Sequence, residues 1–328
     1  MHAKVKEHWF AICRSAELKR SPRAVVLFGQ PLVVFRTTAG VHALLDRCPH
    51  RHAPLSGGRM IGDQIQCRYH GWKFKGSGEC TLVPGSKLDP PRCAVPAFGC
   101  QEKDGIVWVT PEGDDTTSPP SIAFDDMEHA KQVWSEFTLD GSLFDAIENF
   151  VDPMHTHTVH AGLIRSAKKR SPVRIQIECH ASEVCATYLG EGASSGLIQQ
   201  FFGLDIVRSL GRFRLPSIVE MEYWNEKFLR CRIVLLFSPA GNGEIKVLAG
   251  IFGRHALAFL ILPLLKPILR LAVRQDRDVL KWKHAHESKY FGKANYLHTE
   301  LDLLGPYISR WLRHGKLEGG DREVEVML

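Results

Sequence analysis

Two short Cys–His pairs constrain this 328-residue chain more than any other feature of its sequence. Cys48 and His50 are separated by one residue. After sixteen intervening residues come Cys67 and His70, which are separated by two. Thiols and imidazoles at such short spacing are typical of a metal site, and the two candidates are zinc and an iron–sulfur cluster. We therefore expect a fold that brings the two pairs together around a metal.

The composition of the pairs distinguishes between these two candidates. Structural zinc sites usually place like ligands together, as Cys-x₂₋₄-Cys and His-x₃₋₅-His. A Rieske-type [2Fe–2S] cluster instead takes two thiolates on one iron and two imidazoles on the other, which suits one Cys and one His in each pair. Because neutral imidazoles leave such a cluster less negative than four thiolates would, it accepts an electron more readily.

The sequence around the pairs resembles the two cluster-binding loops of the Rieske family. The resemblance is carried by residues 46–58, DRCPHRHAPLSGG, and 67–74, CRYHGWKF, and extends in looser form over residues 7–85. It departs from the family at His52, where a small residue is usual and where we expect a surface polar side chain, and at Arg68, where proline is common. The resemblance implies that the [2Fe–2S] cluster is held by Cys48, His50, Cys67 and His70.

A second group of metal-type side chains follows a predicted helix. The spacing of Asp152, His155 and His160, Asp-x₂-His-x₄-His, resembles the mononuclear-iron motif of Rieske oxygenases. Non-haem Fe(II) oxygenases need two histidines and one carboxylate on one face of the iron, and the two histidines here would supply the imidazoles. By resemblance, Asp152 connects a cluster histidine of a neighbouring subunit to an iron-binding histidine, and Asn149 lines the iron. His157 does not fit the motif, and we expect it to face solvent or substrate.

The carboxylate ligand is expected from a helix far downstream. Residues 274–282, RQDRDVLKW, resemble the helix that carries the family's ligating carboxylate, in which an acid precedes an aliphatic residue by four positions. Asp276, followed by Leu280, fits this pattern. Asp278 is the competing candidate, and the alternative to both is a solvated charge on the helix surface.

Strand and turn signals predict two domains. Residues 23–110 have the pattern of short β-strands between turns, and residues 111–120 form a polar, proline-bearing linker. Beyond residue 133, strand-like segments mix with helical ones, which lie at residues 143–150, 256–289 and 301–312. We therefore predict an α+β protein. Its domains are an all-β Rieske [2Fe–2S] domain with an N-terminal extension, residues 1–118, and an α/β catalytic domain with an antiparallel sheet and helices, helix-grip-like, residues 119–328.

Composition excludes several classes of protein. With 44% hydrophobic and 24% charged residues the chain is globular, and its net charge of +6 is modest. Positive runs such as residues 168–170 are short and lack interleaved aromatics, so nucleic-acid binding is not expected. The absence of an apolar leader in residues 1–22 and the odd count of nine cysteines favour a cytoplasmic location. The last cysteine is Cys231, which disfavours the chloroplast-type branch with its C-terminal Cys pair and membrane anchor.

The apolar run Ala256–Leu265 is ten residues long. A membrane-spanning helix needs about twenty apolar residues, and charged residues follow this run directly. We expect a buried or pocket-lining helix. The alternative is an interfacial helix that makes peripheral contact with a membrane or with a greasy substrate.

The resemblance implies the oxygenase component of a Rieske non-haem iron monooxygenase. Electrons from NAD(P)H would pass through a ferredoxin and/or flavin reductase to the [2Fe–2S] cluster, and then through Asp152 to a mononuclear Fe(II) that uses O₂. The family arranges its subunits head to tail, which implies a homotrimer. The moderate length resembles that of the single-subunit-type monooxygenases and demethylases. The alternatives from other classes are an electron carrier without oxygenase activity and a zinc protein with a binding role.

The substrate is less constrained than the reaction class. Candidate pocket segments at residues 197–210, 221–224 and 248–262 are mostly apolar. They favour hydroxylation or oxidative demethylation of a hydrophobic, polycyclic or sterol-like molecule. The alternative substrate is a small aromatic acid, amine or methyl ether.

Overall fold

The computed structural model describes residues 1–112, 116–124, 130–166, 168, 170–190, 206–253, 256–292 and 295–328. The chain separates into two compact units. The small unit contains residues 6–123 and 238–242, and the large unit contains residues 1–5, 124–237 and 243–328. The predicted α+β class is confirmed, whereas a domain boundary after residue 118 stays a prediction.

The small unit is built from β-strands, which form two antiparallel sheets. A six-stranded sheet has the order β1-β10-β9-β4-β3-β2, and a four-stranded sheet has the order β5-β6-β7-β8. The bounds are β1 Phe10–Arg14, β2 Arg23–Leu27, β3 Gln30–Thr37, β4 Gly40–Leu45, β5 Arg59–Ile61, β6 Gln64–Gln66, β7 Lys73–Phe74, β8 Cys80–Leu82, β9 Ala97–Lys103 and β10 Ile106–Thr110.

β2 and β3 of this unit form a tight hairpin. Leu27 of β2 pairs with Gln30 of β3, so Phe28 and Gly29 alone form the turn. Both have positive φ angles, as a two-residue type I′ turn requires. Residues of both sheets share an apolar core, whose buried members include Phe35, Leu55, Ile65 and Phe74 together with the cysteines of both predicted cluster loops. The cluster loops are therefore anchored in this core.

The large unit is organised around an eight-stranded antiparallel sheet of order β11-β17-β16-β15-β14-β13-β12-β18. Its strands are β11 Lys131–Asp140, β12 Pro172–Cys179, β13 Glu183–Leu189, β14 Arg208–Arg214, β15 Ile218–Trp224, β16 Leu229–Gly241, β17 Glu244–Gly253 and β18 Arg322–Met327. β18 was not predicted. It alternates charged and apolar residues over only six positions and is held at the sheet edge by its pairing with β12.

The described part of the large unit also contains three α-helices: α1 Leu143–Val151, α2 Ala256–Tyr290 and α3 Gly305–His314. α1 begins where the sequence predicted, because Ser142 and Asp145 form a reciprocal capping box at its first turn. Phe150 of α1 packs against Phe137 of β11 and Phe237 of β16, which fixes the helix on one face of the sheet. Among the described residues, no helix is long and apolar enough to span a membrane.

Candidate metal centres

The two predicted cluster loops have the same backbone hydrogen bonds. In each loop the cysteine carbonyl accepts from the amide four residues on, at 2.8 Å for Cys48 and 3.0 Å for Cys67. Each cysteine amide donates to the carbonyl five residues on, at 2.9 Å and 2.8 Å respectively. Two sequence segments that differ in Cys–His spacing therefore fold into equivalent turns, each of which presents one cysteine and one histidine.

The side chains of these loops fit a histidine-ligated cluster. Cys48 and Cys67 are both 2% exposed. Burial and the facing Cys67 thiol raise the pKa of the Cys48 thiol to about 11, so a thiolate needs a bound metal to form there. The rings of His50 and His70 lie 4.5 Å apart between centroids. Nδ1 of His50 is buried, and no hydrogen-bond partner for it occurs in the described part of the chain. A buried imidazole nitrogen beside two buried thiols suits a cluster with mixed ligands.

Aromatic neighbours restrict both imidazoles. The ring of His50 stacks on Trp72, with centroids 4.8 Å apart and an interplanar angle of 9°. Tyr69 lies over His70 at 3.8 Å between centroids. Desolvation and the neighbouring His70 ring lower the pKa of His50, which favours the neutral form that a metal requires.

The two departures from the family pattern have simple structural settings. His52 is exposed, as expected, and its φ of 58° is left-handed. Gly71, at the equivalent position of the other loop, has a φ of 73°. The position favours a residue that tolerates this conformation, and histidine is among the side chains that do so. Arg68 is exposed as well.

In the large unit, His155, His160 and Asp276 converge, with one ligand atom of each lying within 4.8 Å of the others. Oδ1 of Asp276 is 2.9 Å from Nε2 of His160 and 3.6 Å from Nε2 of His155. Asp276 is 4% exposed and His160 1%. The side chain of Asp278 is 67% exposed and lies 3.8 Å from Arg274, so the structure brings Asp276 to the histidines and leaves Asp278 on the surface.

Asp152 connects α1 to the turn that carries His155. α1 ends at this residue, and a short 3₁₀ turn follows at Met154–His157. The Asp152 carboxylate accepts hydrogen bonds from the backbone amides of Met154 at 2.8 Å and His155 at 3.1 Å. Its Oδ2 also lies 3.4 Å from Nδ1 of His155. One carboxylate thus shapes the turn and faces the ring.

His160 contacts a side chain that was not among the predicted site residues. Its Nδ1 lies 2.8 Å from Oε1 of Gln275, the residue directly before Asp276. Burial lowers the pKa of His160, but the facing Asp276 carboxylate and the Gln275 amide outweigh burial and raise it above its ordinary value. The one signal available in the sequence was the position of Gln275 beside a candidate ligand.

Two further residues singled out in the sequence are Asn149 and His157. Asn149 is 8% exposed, and within the described residues its Nδ2 has no hydrogen-bond partner. It is therefore a buried donor in α1, three residues before Asp152. His157 is 3% exposed and its Nδ1 lies 2.7 Å from the carbonyl oxygen of Ser166. The solvent-facing position predicted for His157 is therefore wrong, and the substrate-lining position stays a prediction.

The three converging residues also pass a chemical test for a metal site. Among the described residues, neither Oδ1 of Asp276 nor Nδ1 of His155 has a hydrogen-bond partner, although both atoms are buried. Two imidazoles and one carboxylate on a common side are the ligand set of mononuclear non-haem iron centres. The donor set fits such an ion.

Acidic residues surround the end of α1 that leads to Asp152. Burial and the nearby carboxylates of Asp152 and Asp302 raise the pKa of Glu148 to about 8. On the same helix Asp145 pairs with Lys283 of α2 and accepts a hydrogen bond from the hydroxyl of Tyr296 at 2.9 Å. Glu148 is therefore a carboxyl group that holds its proton near neutral pH, one turn before Asp152, whereas Lys283 helps to lower the pKa of Asp145.

The predicted pocket segments are only partly described. In β15, Met221 and Tyr223 point to the face that α1 covers, because they pair with Ile233 and Cys231 on the same side as Phe237. Glu222 and Trp224 lie on the opposite face, where Glu222 pairs with Arg232 at 2.7 Å. Residues 197–205 and 254–255, and the side chains of residues 256–265, lie outside the described residues.

Comparison with known proteins identifies a known domain in the part of the chain that contains the cluster loops. Residues 8–97 match the Rieske [2Fe-2S] domain. Methylxanthine N1-demethylase NdmA of Pseudomonas putida is 30% identical over 178 residues, which are 51% of this chain and 51% of the relative. The oxygenase component of dicamba O-demethylase of Stenotrophomonas maltophilia is 37% identical over 118 residues, 35% of this chain and 34% of the relative. The chain thus spans about half the length of NdmA, and less of the second relative.

Solved structures show the same fold over nearly the whole chain. Pseudomonas putida CBB5 NdmA with caffeine aligns with a TM-score of 0.78 at 22% identity, covering 94% of this chain and 90% of that one. Dicamba monooxygenase bound to dicamba aligns with a TM-score of 0.76 at 23% identity, covering 93% and 96%. Residues 8–97 therefore belong to the Rieske [2Fe-2S] domain family, and over nearly its whole length the chain has the fold of these two structures.

Proposed function

We propose that the protein is a terminal oxygenase component that uses O₂ and two electrons from a reductase to hydroxylate or oxidatively demethylate an organic substrate. The observation that carries this proposal is the convergence of His155, His160 and Asp276 in a chain with a Rieske domain. An electron carrier would not need a second buried set of two imidazoles and a carboxylate.

Each predicted residue has a role in this proposal. Cys48, His50, Cys67 and His70 would hold the [2Fe–2S] cluster, and His155, His160 and Asp276 the mononuclear iron. When bound, the iron supplies the oxygen chemistry, and the cluster supplies electrons. Asp152 orients the His155 ring by facing its Nδ1 and would be the connection to a cluster histidine of a neighbouring subunit. The buried amide of Asn149 offers a hydrogen-bond donor at the iron side of α1.

We propose a hydrophobic substrate, polycyclic or sterol-like in character. Support comes from the sheet face that α1 covers, where Met221 and Tyr223 are half-buried next to apolar residues such as Ile233. The relatives include a 3-ketosteroid-9-alpha-monooxygenase oxygenase component of Rhodococcus rhodochrous, 33% identical over 149 residues. The alternative, a small aromatic acid, amine or methyl ether, is favoured by the relatives named as methylxanthine and dicamba demethylases.

The partners follow from the electron supply. We propose that a ferredoxin and/or flavin reductase delivers electrons from NAD(P)H to the cluster. A homotrimer and a cytoplasmic location are further parts of the proposal, both taken from the sequence. A trimer would allow Asp152 of one subunit to meet the cluster of the next, since a head-to-tail ring closes such heterologous contacts.

The experiment that tests this proposal compares wild type with Asp152→Asn in a single turnover. The cluster is pre-reduced, and O₂ is added with a panel of a ketosteroid, a methylxanthine and an aryl methyl ether. We expect wild type to oxidise its cluster and convert one of the panel. Asp152→Asn should keep a reducible cluster and part of its iron, yet lose turnover at least 10–100-fold.

A residue that only caps the turn after α1 would behave differently. If Asp152 only shaped the turn, its loss would cost about 1 kcal/mol of stability and little turnover. Normal cluster oxidation and product yield in Asp152→Asn would therefore refute the proposed electron path. Glu226→Gln, which alters an exposed loop carboxylate, is the matched control and should behave like wild type.

A further inference from the structure

Among the described residues, only Gln275 places a side-chain oxygen within hydrogen-bond distance of Nδ1 of His160, at 2.8 Å. The opposite ring nitrogen, Nε2, faces Oδ1 of Asp276 at 2.9 Å. The imidazole is therefore held between two consecutive residues of α2. It is also 1% exposed, so water does not compete for its nitrogens.

Neighbouring contacts fix the orientation of α2 about its own axis near Gln275 and Asp276. Nε of Arg277 donates a hydrogen bond to the carbonyl oxygen of Thr138 in β11 at 2.9 Å. Leu280 is buried one turn further on, whereas Arg274 and Asp278 point to solvent. A helix anchored in this way presents Gln275 and Asp276 to His160 with little freedom to turn.

A metal bound through Nε2 of His160 requires the proton of the neutral ring to sit on Nδ1. A buried N–H group needs an acceptor, and the amide oxygen of Gln275 is in place to accept. The acceptor is neutral, unlike the Asp152 carboxylate that lies 3.4 Å from Nδ1 of His155. The two histidines thus have outer partners of different charge.

We propose that Gln275 is a positioning residue that fixes the ring and the tautomer of His160 as a metal ligand. This inference rests on the proposed iron site. Its consequence is that ferrous ion affinity depends on a hydrogen-bond acceptor at position 275. Partners that orient a ligating imidazole commonly contribute roughly 10–100-fold to metal affinity.

The test measures Fe(II) binding, with the cluster loaded and oxidised, in wild type, Gln275→Leu and Gln275→Glu. Anaerobic competition with a chelator gives the dissociation constant, and the EPR line shape of the ferrous nitric oxide complex reports the ligand geometry. Gln275→Leu, which lacks an acceptor, should bind Fe(II) about 10–100-fold more weakly and change the line shape. Gln275→Glu restores an acceptor and should bind at least as tightly as wild type.

Arg274→Leu is the matched control, because Arg274 is the preceding residue of the same helix and its side chain is 77% exposed. It should match wild type. Should Gln275→Leu not fold, Gln275→Ala carries the same prediction. An acceptor-free variant that binds Fe(II) within about twofold of wild type, with an unchanged line shape, would overturn the role of Gln275 alone. If the His160→Ala variant binds Fe(II) as tightly as wild type, the proposed iron site itself is refuted.

Discussion

Asp152 performs two tasks with one carboxylate. Its oxygens accept backbone hydrogen bonds that shape the turn at Met154–His157, and Oδ2 faces the imidazole of His155. A sequence motif cannot separate these tasks, because helix capping and ligand orientation both favour aspartate at this position. The distances show only that the same carboxylate accepts the hydrogen bonds of the turn and lies 3.4 Å from Nδ1 of His155.

Glu148, one turn before Asp152, should make stability depend on pH. Its pKa of about 8 in the folded protein lies above that of an unfolded glutamate, because burial and the Asp152, Asp302 and Asp145 carboxylates outweigh Lys283. A raised carboxyl pKa stabilises the fold at low pH, and that stability is lost as pH rises from about 4.5 to about 8. Glu148→Gln should remove this loss.

The measurement is the free energy of unfolding in urea at several pH values. The advantage of Glu148→Gln over wild type should be near zero at about pH 4.5 and grow by up to about 1.4 kcal/mol per pH unit toward pH 8. Glu226→Gln, in an exposed loop, should show no such trend. An advantage of Glu148→Gln that is constant with pH would contradict the raised pKa.

At the scale of single elements, the two cluster loops have the same backbone conformation although their sequences differ. Both use the same pair of backbone hydrogen bonds, and both place a left-handed residue four positions after the cysteine. In one loop this is Gly71, at which a Cβ atom would approach Cγ of Pro84 to 3.0 Å. In the other it is His52, which carries a side chain in the same conformation.

His52→Gly should therefore stabilise the cluster loop, and Gly71→Ala should destabilise it. A left-handed conformation costs a residue with a Cβ atom roughly 1–2 kcal/mol. His52→Ala is the matched control, because it removes the exposed side chain but keeps the strained backbone, and it should give no gain. The readout is the urea concentration at which the visible absorption of the cluster is lost. Equal midpoints for His52→Gly and His52→Ala would show that the backbone angle carries no cost.

Much of the element structure could be predicted from local signals. The capping box of α1, the hairpin of β2 and β3 and the strand at Ile106–Thr110 depend on neighbours in sequence. The predictions of a helix at residues 143–150 and of short strands within residues 23–110 are accordingly confirmed. β18 could not be found in this way, because its place comes from pairing with a strand about 150 residues away. The length of α2 was predicted, although it passes through Pro263 and Pro267.

In the candidate sites, too, some features depend on neighbouring residues in the sequence and others on contacts between distant residues. The Cys–His pairs and the Asp152 motif are local patterns, so the sequence could predict them. The choice between Asp276 and Asp278 depends on which side of α2 meets the histidines, and the contact of Gln275 with His160 joins residues 115 positions apart. Burial of His157 likewise depends on Ser166 and could not be deduced from spacing.

At the scale of the whole molecule, the proposed function requires two iron centres in one chain. The small unit contains the residues predicted for a [2Fe–2S] cluster, and the large unit contains two imidazoles and a carboxylate that fit one further ion. A pure electron carrier would hold only the first centre, and a zinc protein neither. Counting metals for each chain therefore tests the central claim directly.

The decisive measurement is the iron content of purified wild type, Asp276→Ala and Asp278→Ala, each with the EPR signal of the dithionite-reduced cluster recorded beside it. Wild type and Asp278→Ala should contain about three iron atoms per chain, and Asp276→Ala about two, with the cluster signal of all three unchanged. Two iron atoms in wild type, zinc in place of iron, or loss of the third iron in Asp278→Ala but not in Asp276→Ala would contradict the account.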